Sequence, residues 1–187
     1  GSSQLIDGCK IKKSTNAALN SESFYAIFPV SEAIGMYIYM DGSSILSDNT
    51  MSWAIACFYV DVGLRHNIAF NTGGCVNMDS QAADFHGADI NTSFVAEVYA
   101  GLMARLWLLQ SNLGTNIPVT ILYDNASAAD VISGKCVGRS VLNLCKISCA
   151  IHKHTSYLYN IYSHHIKSHY QHPWNEYVDC LCTFFID

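Results

Sequence analysis

The stretch that most constrains the fold is residues 36–44, which read MYIYMDGSS. Five apolar or aromatic residues run directly into one carboxylate, Asp41, and a Gly-Ser turn follows. An apolar run of this length that is bounded by turn-forming residues predicts a buried β-strand. Open α/β sheets bind ligands beyond the carboxyl ends of their strands, so Asp41 is a candidate site residue.

Length and charge restrict the class of protein. A chain of 187 residues fits one domain with one core. No segment approaches the roughly 18 uninterrupted apolar residues of a membrane span, and no leader opens the chain, so we expect a soluble intracellular protein, in the cytoplasm or nucleus, with no membrane partner. The net charge of −5 argues against strong unaided binding to a polyanion, so a nucleic-acid role would need metal ions or a partner domain.

Three regions are expected along the chain. Residues 1–3 are typical of an expression scar, residues 4–35 of an N-terminal arm or linker, and residues 36–187 form the folded domain. The eight cysteines predict free thiols, because several of them lie within apolar runs. Cys145, Cys149 and His152 recur at helical spacing, which leaves a zinc site as an alternative, although there is no CxxC pair.

The hydrophobic pattern predicts strands alternating with helices, which is the α/β class. Residues 42–50 are expected to be a turn within a hairpin, and residues 71–91, rich in Gly, Asp and Asn, a long loop. Further strands are predicted at residues 51–60, 64–71, 118–123 and 157–162, and helices from Thr92 or Ser93 to Gly114 and at residues 125–132, 140–151 and 173–184.

Four acidic residues end strands or interrupt apolar faces: Asp41, Glu97, Asp124 and Asp179. Clustered carboxylates raise each other's pKa unless a cation joins them, and all-oxygen ligand sets suit Mg²⁺ or Mn²⁺. Two such ions can align a water and stabilise the leaving oxygen of a phosphodiester. Taken singly, each acid is better explained as a capping or solvated residue. Two of the four end strands, which weakens that explanation for the set.

Several motifs occur in order along the chain. They are Tyr39-Met40-Asp41-Gly42-Ser43-Ser44, Ser52-Trp53-Ala54-Ile55, Ala96-Glu97, Tyr123-Asp124-Asn125, and residues 166–179, IKSHYQHPWNEYVD. Together they resemble type 1 ribonuclease H over about residues 36–184, and the last block is the most specific. The resemblance is greatest to the ribonuclease H domains that follow reverse transcriptases in non-LTR, LINE-type retrotransposons.

This resemblance implies a ribonuclease H-like fold, with a five-stranded mixed sheet whose first three strands are antiparallel and with helices on both faces. It implies that Asp41, Glu97, Asp124 and Asp179 bind two Mg²⁺ ions, for which Mn²⁺ can substitute. His169 would help to handle protons and release product. An ordinary loop histidine is the alternative for that residue.

The implied substrate is an RNA–DNA hybrid, and the implied partner is the reverse transcriptase domain of the same polyprotein. Ser93 stands four residues before Glu97 where relatives have Asn, and Ala126 stands two residues after Asp124 where relatives often have a polar amide. Discrimination between RNA and DNA is therefore expected to be looser or differently built. The expected substrate-binding residues are Gly42, Ser43, Ser44, Ser93 and Asn125.

The resulting hypothesis is a metal-dependent endonuclease that hydrolyses the RNA strand of RNA–DNA hybrids by a two-metal mechanism. One alternative is a weak or inactive ribonuclease H-like module that braces a polymerase, but such modules lose acids and this chain keeps all four. Another is a DNA-acting nuclease of the same fold. The His-x-x-His-Pro-x-Asn-Glu pattern within residues 169–176 speaks against it.

Overall fold

The computed structural model of the chain describes residues 33–111, 116–167 and 172–186. Within these ranges, no helix combines the length and the apolar character that crossing a membrane requires. The elements in chain order are β1 (Gly35–Ile45), β2 (Thr50–Val60), β3 (His66–Cys75), α1 (Ser93–Gln110), β4 (Val119–Tyr123), α2 (Ala126–Ser133), α3 (Leu142–Leu158), β5 (Ile161–His165) and α4 (Pro173–Ile186).

The strands form one mixed sheet in the order β3-β2-β1-β4-β5. Strands β1, β2 and β3 pair antiparallel, whereas β4 pairs parallel with β1 and β5 parallel with β4. The predicted α/β fold, with three antiparallel strands followed by two strands parallel to the first, is confirmed. Its central strand is β1, the stretch with which the sequence analysis began.

Helices cover both faces of the sheet, as predicted. Ile38 and Met40 of β1 pack in one core cluster with Ala104 and other residues of α1. Tyr39, which points to the opposite face, packs in another cluster with Leu181 and other residues of α4. Because side chains alternate between the two faces of a strand, a strand buried on both faces needs apolar residues at successive positions. This explains the uninterrupted run before Asp41.

Two strands extend further than the sequence predicted. Strand β1 continues past Asp41 to Ile45, which pairs with Thr50, so the turn occupies only residues 46–49. Strand β3 continues to Cys75 through a Gly-Gly pair that the sequence analysis placed in a loop. A Cβ atom on Gly73 would come within 2.6 Å of the Phe185 ring. Glycine is therefore used here for close packing against α4 and not for a turn.

Three further boundaries differ from the prediction. Helix α3 runs on to Leu158, and β5 begins correspondingly later, at Ile161. Most of β5 is exposed at the edge of the sheet, so its polar residues show no alternation that could identify it. Helix α1 ends at Gln110, where the next residue turns to an extended conformation, and not at Gly114, which lies outside the described residues.

Candidate metal centre

Strands β1 and β4 bring Asp41 and Asp124 to the same level of the sheet. Tyr39 of β1 pairs with Leu122 of β4, and each aspartate lies two residues further along its strand direction. Because the two strands are adjacent and parallel, both carboxylates lie at the same edge. The predicted juxtaposition of Asp41 and Asp124 is present in the structure.

Helix α1 brings Glu97 to the same edge. The helix begins after Thr92, whose side chain accepts a hydrogen bond of 3.2 Å from the backbone nitrogen of Val95. A Cβ atom on Gly42 would lie 2.5 Å from the backbone nitrogen of Glu97, which is closer than real Cβ atoms approach. Glycine at position 42 therefore allows the backbone of β1 to touch α1, and this contact places Glu97 beside Asp41.

The carboxylates of Asp41, Glu97 and Asp124 form a compact cluster. One ligand atom from each lies within 4.8 Å of those of the other two. Asp41 is 4% exposed and Glu97 5% exposed, whereas Asp124 is half-buried. The structure thus brings together three of the four acids that the sequence singled out, and we call these three residues the carboxylate cluster.

Asp179 lies alongside this cluster and is not one of its three members. It is half-buried on α4, the helix that packs on β1 and β2. Its negative charge contributes to raising the pKa of Asp41, which places it within electrostatic range. The fourth acid therefore approaches the cluster from the opposite face of the sheet to α1.

The electrostatics of the cluster are unfavourable without a counter-charge. Burial raises the pKa of Asp41 well above its ordinary range, and the hydrogen bond and charge of Glu97 and the charges of Asp124 and Asp179 raise it further. Burial also raises the pKa of Glu97 to about 7, partly offset by hydrogen bonds from Asp41 and Gly42. Carboxylates at these separations repel one another strongly in a medium of low dielectric constant.

The donor atoms of the cluster fit a hard divalent cation. Oε2 of Glu97 is buried and has no hydrogen-bond partner among the described residues. The Oδ1 atom of Asp41 accepts one hydrogen bond of 2.9 Å from the backbone nitrogen of Gly42. Buried oxygen acceptors are rarely left without a partner, and sets made only of carboxylate oxygens suit Mg²⁺ or Mn²⁺.

The alternative zinc site is not formed. Among the described residues, the carboxylate cluster is the single group of three or more His, Cys, Asp and Glu residues with ligand atoms this close together. Nδ1 of His152 instead accepts a hydrogen bond of 3.0 Å from Nε of Arg105. The recurrence of Cys145, Cys149 and His152 thus reflects the packing face of α3 and not a zinc site.

Two residues that contact the cluster were missed by the sequence analysis. The thiol of Cys182 donates a hydrogen bond of 3.2 Å to the backbone carbonyl of Asp41. The Nε2 atom of His165 lies 3.0 Å from the backbone carbonyl of Asp124. Cys182 lies one helical turn after Asp179, but this spacing does not show what its thiol contacts. No sequence signal identified His165, because its strand was placed too early in the chain.

The residues expected to bind substrate lie around the cluster. Ser43 and Ser44 are half-buried on β1 beyond Asp41 and Gly42. Ser93 is the exposed first residue of α1. Asn125 caps α2, and its Oδ1 accepts a hydrogen bond of 3.0 Å from the backbone nitrogen of Ala128. His169 lies outside the described residues.

No protein-family model and no curated protein matches the sequence. Solved structures do match the fold. RNase H1 from the halophilic archaeon Halobacterium salinarum superposes with a TM-score of 0.56 at 16% identity, over 81% of this chain and 97% of that chain. LC11-RNase H1, isolated from compost by a metagenomic approach and solved with an RNA/DNA hybrid, gives a TM-score of 0.53 at 16% identity, over 81% of this chain and 99% of that chain.

A viral protease–reverse transcriptase contains the same fold. The prototype foamy virus protease–reverse transcriptase gives a TM-score of 0.54 at 16% identity, over 85% of this chain and 21% of that chain. Identities this low establish architecture and leave activity to be argued from the site. The similarity covers 81–85% of this chain, and with the strand order and pairing it shows that the chain has the ribonuclease H fold.

Proposed function

We propose that the chain is a metal-dependent endonuclease that hydrolyses the RNA strand of RNA–DNA hybrids. The carboxylate cluster carries this proposal, because Asp41, Glu97 and Asp124 converge to within 4.8 Å at the carboxyl edge of a ribonuclease H fold. One neighbour of this fold was solved with an RNA/DNA hybrid, which supports the substrate class.

Asp41, Glu97 and Asp124 would hold Mg²⁺ or Mn²⁺, with Asp179 positioned to complete a site for two ions. Divalent cations bound in such a cluster orient the attacking water and stabilise the leaving oxygen of an in-line displacement. The two most buried ligands are held by backbone contacts between β1 and α1. Asp124 and Asp179 are more accessible, which suits ligands that face a polymeric substrate.

Substrate recognition is proposed at the polar residues beside the cluster. Ser43 and Ser44 follow Asp41 along β1, where their hydroxyls and backbone can meet the sugar edge of the RNA strand. Contacts to 2′-hydroxyl groups are what allow a protein to tell RNA from DNA. Asn125 uses its Oδ1 as a helix cap, so we assign any contact with the substrate to its amide nitrogen.

The distribution of charge favours one side of the molecule for the nucleic-acid backbone. Residues 131–175 contain five Lys or Arg and no Asp or Glu, in a chain whose net charge is −5. Four of these cations are exposed around α3 and the loop before it: Lys135, Arg139, Lys146 and Lys153. We propose that these exposed cations contact phosphates of the hybrid, because Lys and Arg side chains supply most of the affinity for a nucleic-acid backbone.

We further propose that the chain acts as part of a retroelement reverse transcriptase. The negative net charge leaves little general attraction for a polyanion, so a polymerase domain would supply additional grip on the hybrid. The foamy-virus protease–reverse transcriptase, which contains the same fold, supports this context.

The decisive experiment is cleavage of a hybrid labelled on its RNA strand, with Mg²⁺ or Mn²⁺, by the native chain and by Asp124→Asn. We expect the native chain to cut the RNA and the variant to lose roughly 100-fold or more in rate, because Asn keeps the shape of the ligand but removes its charge. Asp130→Asn is the matched control. It makes the same change in α2, outside the cluster, and should leave the rate unchanged.

Two results would contradict the proposal. A folded native chain that binds the hybrid and never cuts it, with either metal and with its polymerase added, would indicate a bracing module. Equal cleavage of double-stranded DNA and of the hybrid would indicate a DNA-acting nuclease.

A further inference from the structure

A second chemically distinctive region lies between α3 and the loop that precedes it. This region contains a cavity of about 260 Å³, and none of the cluster carboxylates lines it. Three thiols line it, those of Cys136, Cys145 and Cys149, together with the side chains of Lys146 and Lys153. Three of the seven cysteines of the described residues thus share one cavity.

The loop that carries Cys136 is fixed in place by the end of α2. Gly134 ends this helix in the left-handed conformation, with a φ of 78°. The backbone nitrogens of Lys135 and Cys136 both donate hydrogen bonds to the carbonyl of Asp130, at 2.9 and 3.2 Å. The position of Cys136 is therefore set by the capping of α2.

Two glycines bring this loop directly onto α3. A Cβ atom on Gly134 would lie 3.1 Å from the sulfur of Cys149, and one on Gly138 would lie 2.5 Å from the sulfur of Cys145. Cys136 lies midway between these glycines in the sequence, two residues from each. Two residues of chain span at most about 7 Å between Cα atoms, so Cys136 lies within about that distance of Gly134, which touches Cys149. A disulfide between Cys136 and Cys149 would require a Cα separation of about 4.4–6.8 Å.

The two thiols of α3, Cys145 and Cys149, differ in their exposure to solvent. Cys145 is buried and its thiol donates to the carbonyl of Ser140 at 3.6 Å, and burial raises its pKa. Cys149 is half-buried and Cys136 is exposed. A reagent entering the cavity therefore meets Cys136 first and Cys149 next, while Cys145 remains a protonated part of the core.

We propose that Cys136 and Cys149 form a site of reversible thiol–disulfide exchange with a small anionic disulfide such as glutathione disulfide. The exchange ends in a disulfide that joins the α2–α3 loop to α3. Lys146 and Lys153 line the same cavity, and their charges attract the carboxylates of the reagent. The acid-free composition of residues 131–175 leaves those lysines uncompensated by nearby carboxylates in the sequence.

The exchange has two balanced steps. The sulfur of Cys136 attacks one sulfur of the reagent, the S–S bond of the reagent breaks, and the released thiol takes the proton that Cys136 gives up. The sulfur of Cys149 then attacks the sulfur of Cys136, the mixed disulfide breaks, and the second small thiol leaves with the proton of Cys149. Two protein thiols are oxidised to one disulfide, and one small disulfide is reduced to two thiols.

Three other described thiols differ from this pair. Cys57 and Cys182 are fully buried in the core. Cys75 is exposed, and its thiol donates a hydrogen bond of 3.1 Å to the carbonyl of Phe185. Cys75 thus offers an exposed thiol without a cavity shared with other cysteines, which makes it the matched comparison for Cys136.

The test exposes the full native chain to glutathione disulfide without denaturant, blocks the remaining thiols by alkylation, and identifies products by intact mass and peptide mapping. We expect a Cys136–Cys149 linkage with the loss of two hydrogens and no glutathione retained, reversed by a dithiol reductant. Cys149→Ser should stop at one glutathione on Cys136. Cys136→Ser should slow modification of Cys149 at least about 10-fold, since the exposed attacking thiol is lost, and Cys75→Ser should behave like the native chain.

Three results would overturn the proposal. In the first, the native chain keeps glutathione on Cys136 as stably as Cys149→Ser does, so that Cys149 does not resolve the adduct. In the second, Cys136 pairs with another cysteine, such as Cys145 or Cys9. In the third, Cys75 is modified as fast as Cys136, which would show that exposure alone controls the reaction.

Discussion

Helix α1 carries two buried charged residues, Glu97 and Arg105, and their surroundings are opposite in kind. Arg105 is 3% exposed, and its guanidinium donates to the carbonyl of Gly101 at 2.9 Å and to Nδ1 of His152 at 3.0 Å. Both of these partners are neutral acceptors. Glu97 instead faces Asp41 and Asp124, and its Oε2 has no partner among the described residues. Burial lowers the pKa of Arg105 to about 10 and raises the pKa of Glu97 to about 7.

This difference separates a buried charge that has hydrogen-bond partners from one that lies beside like charges. The hydrogen-bond acceptors around Arg105 offset part of the cost of burying its charge, so the fold alone explains its position. The surroundings of Glu97 raise the energy of its charged form, and nothing in the fold requires them. A buried ionisable group held against its own electrostatics is typical of a site that binds something else. The comparison therefore points to the carboxylate cluster as a region that a divalent cation would stabilise.

The largest effect on stability is expected for Arg105→Ala. The substitution removes a long buried side chain between α1 and α3 and takes away the donor to His152, so the free energy of unfolding should fall by about 3 kcal/mol. Urea unfolding at about pH 8 measures it. Arg105→Met keeps most of the volume and should cost only about half as much. If Arg105→Ala had the same free energy of unfolding as the native chain, these hydrogen bonds and contacts would contribute little.

An effect of opposite sign is expected for Glu97→Gln. The pKa of Glu97 is raised from 4.5 to about 7, so its contribution to stability is complete below pH 4.5 and is lost as pH rises through 7. At about pH 8 in metal-free buffer, the neutral amide should therefore raise the free energy of unfolding by about 1–2 kcal/mol. The measurement is urea unfolding in the presence of a chelator.

Added divalent metal should reverse the order of stability and make the native chain more stable than Glu97→Gln. Excess Mg²⁺ or Mn²⁺ should stabilise the native chain, because a ligand that binds only the folded state adds to its stability, and should stabilise Glu97→Gln much less. Glu176→Gln, which changes the same residue type on α4 outside the cluster, should respond to metal like the native chain. A native chain that is no more stable with either metal would contradict the assignment of a metal centre.

The parts of the site that could be predicted are those that a single strand or helix determines. Asp41 and Asp124 each end an apolar run, and Glu97 is a lone acid in an apolar helix, so local pattern and the order of motifs were enough to identify them. The positions of Cys182 and His165 depend on how α4 and β5 pack beside β1 and β4, at separations of 141 and 41 residues in the chain. A local pattern contains no information on such contacts.

The lack of long-range information in a local pattern also explains why His152 was left as a possible zinc ligand. Its spacing from Cys145 and Cys149 is correct for one face of a helix, and only the packing of α3 on α1 shows that this face meets Arg105. The glycines of β3 show the converse error, since Gly73 indicated a loop in the sequence but serves close packing under Phe185. Helical spacing therefore gave the correct face, glycine content gave the wrong element, and in both cases the packing partner decided the role of the residue.

The smallest effect is expected for the titration of His152, which tests the structural side of the comparison. Burial lowers its pKa to about 4, and the charge of Arg105 acts in the same direction. The folded chain therefore keeps His152 neutral while the unfolded chain takes up a proton below about pH 6.5, so this contribution to stability is present above pH 6.5 and is lost as pH falls towards 4.

Between about pH 7.5 and pH 5, His152 should account for a loss of about 1 kcal/mol in the free energy of unfolding, after allowance for solvent screening of a half-exposed ring. His152→Asn retains an acceptor for Arg105 without the titration, so its loss over this range should be smaller by that amount. His154→Asn, at an exposed position on the same helix, should lose as much as the native chain. If His152→Asn also lost as much, the acid sensitivity would have to come from elsewhere, and Arg105 would not be held by a neutral imidazole. Glu97 titrates in the opposite sense, so the contributions of Glu97 and His152 to stability should be distinguishable by pH alone.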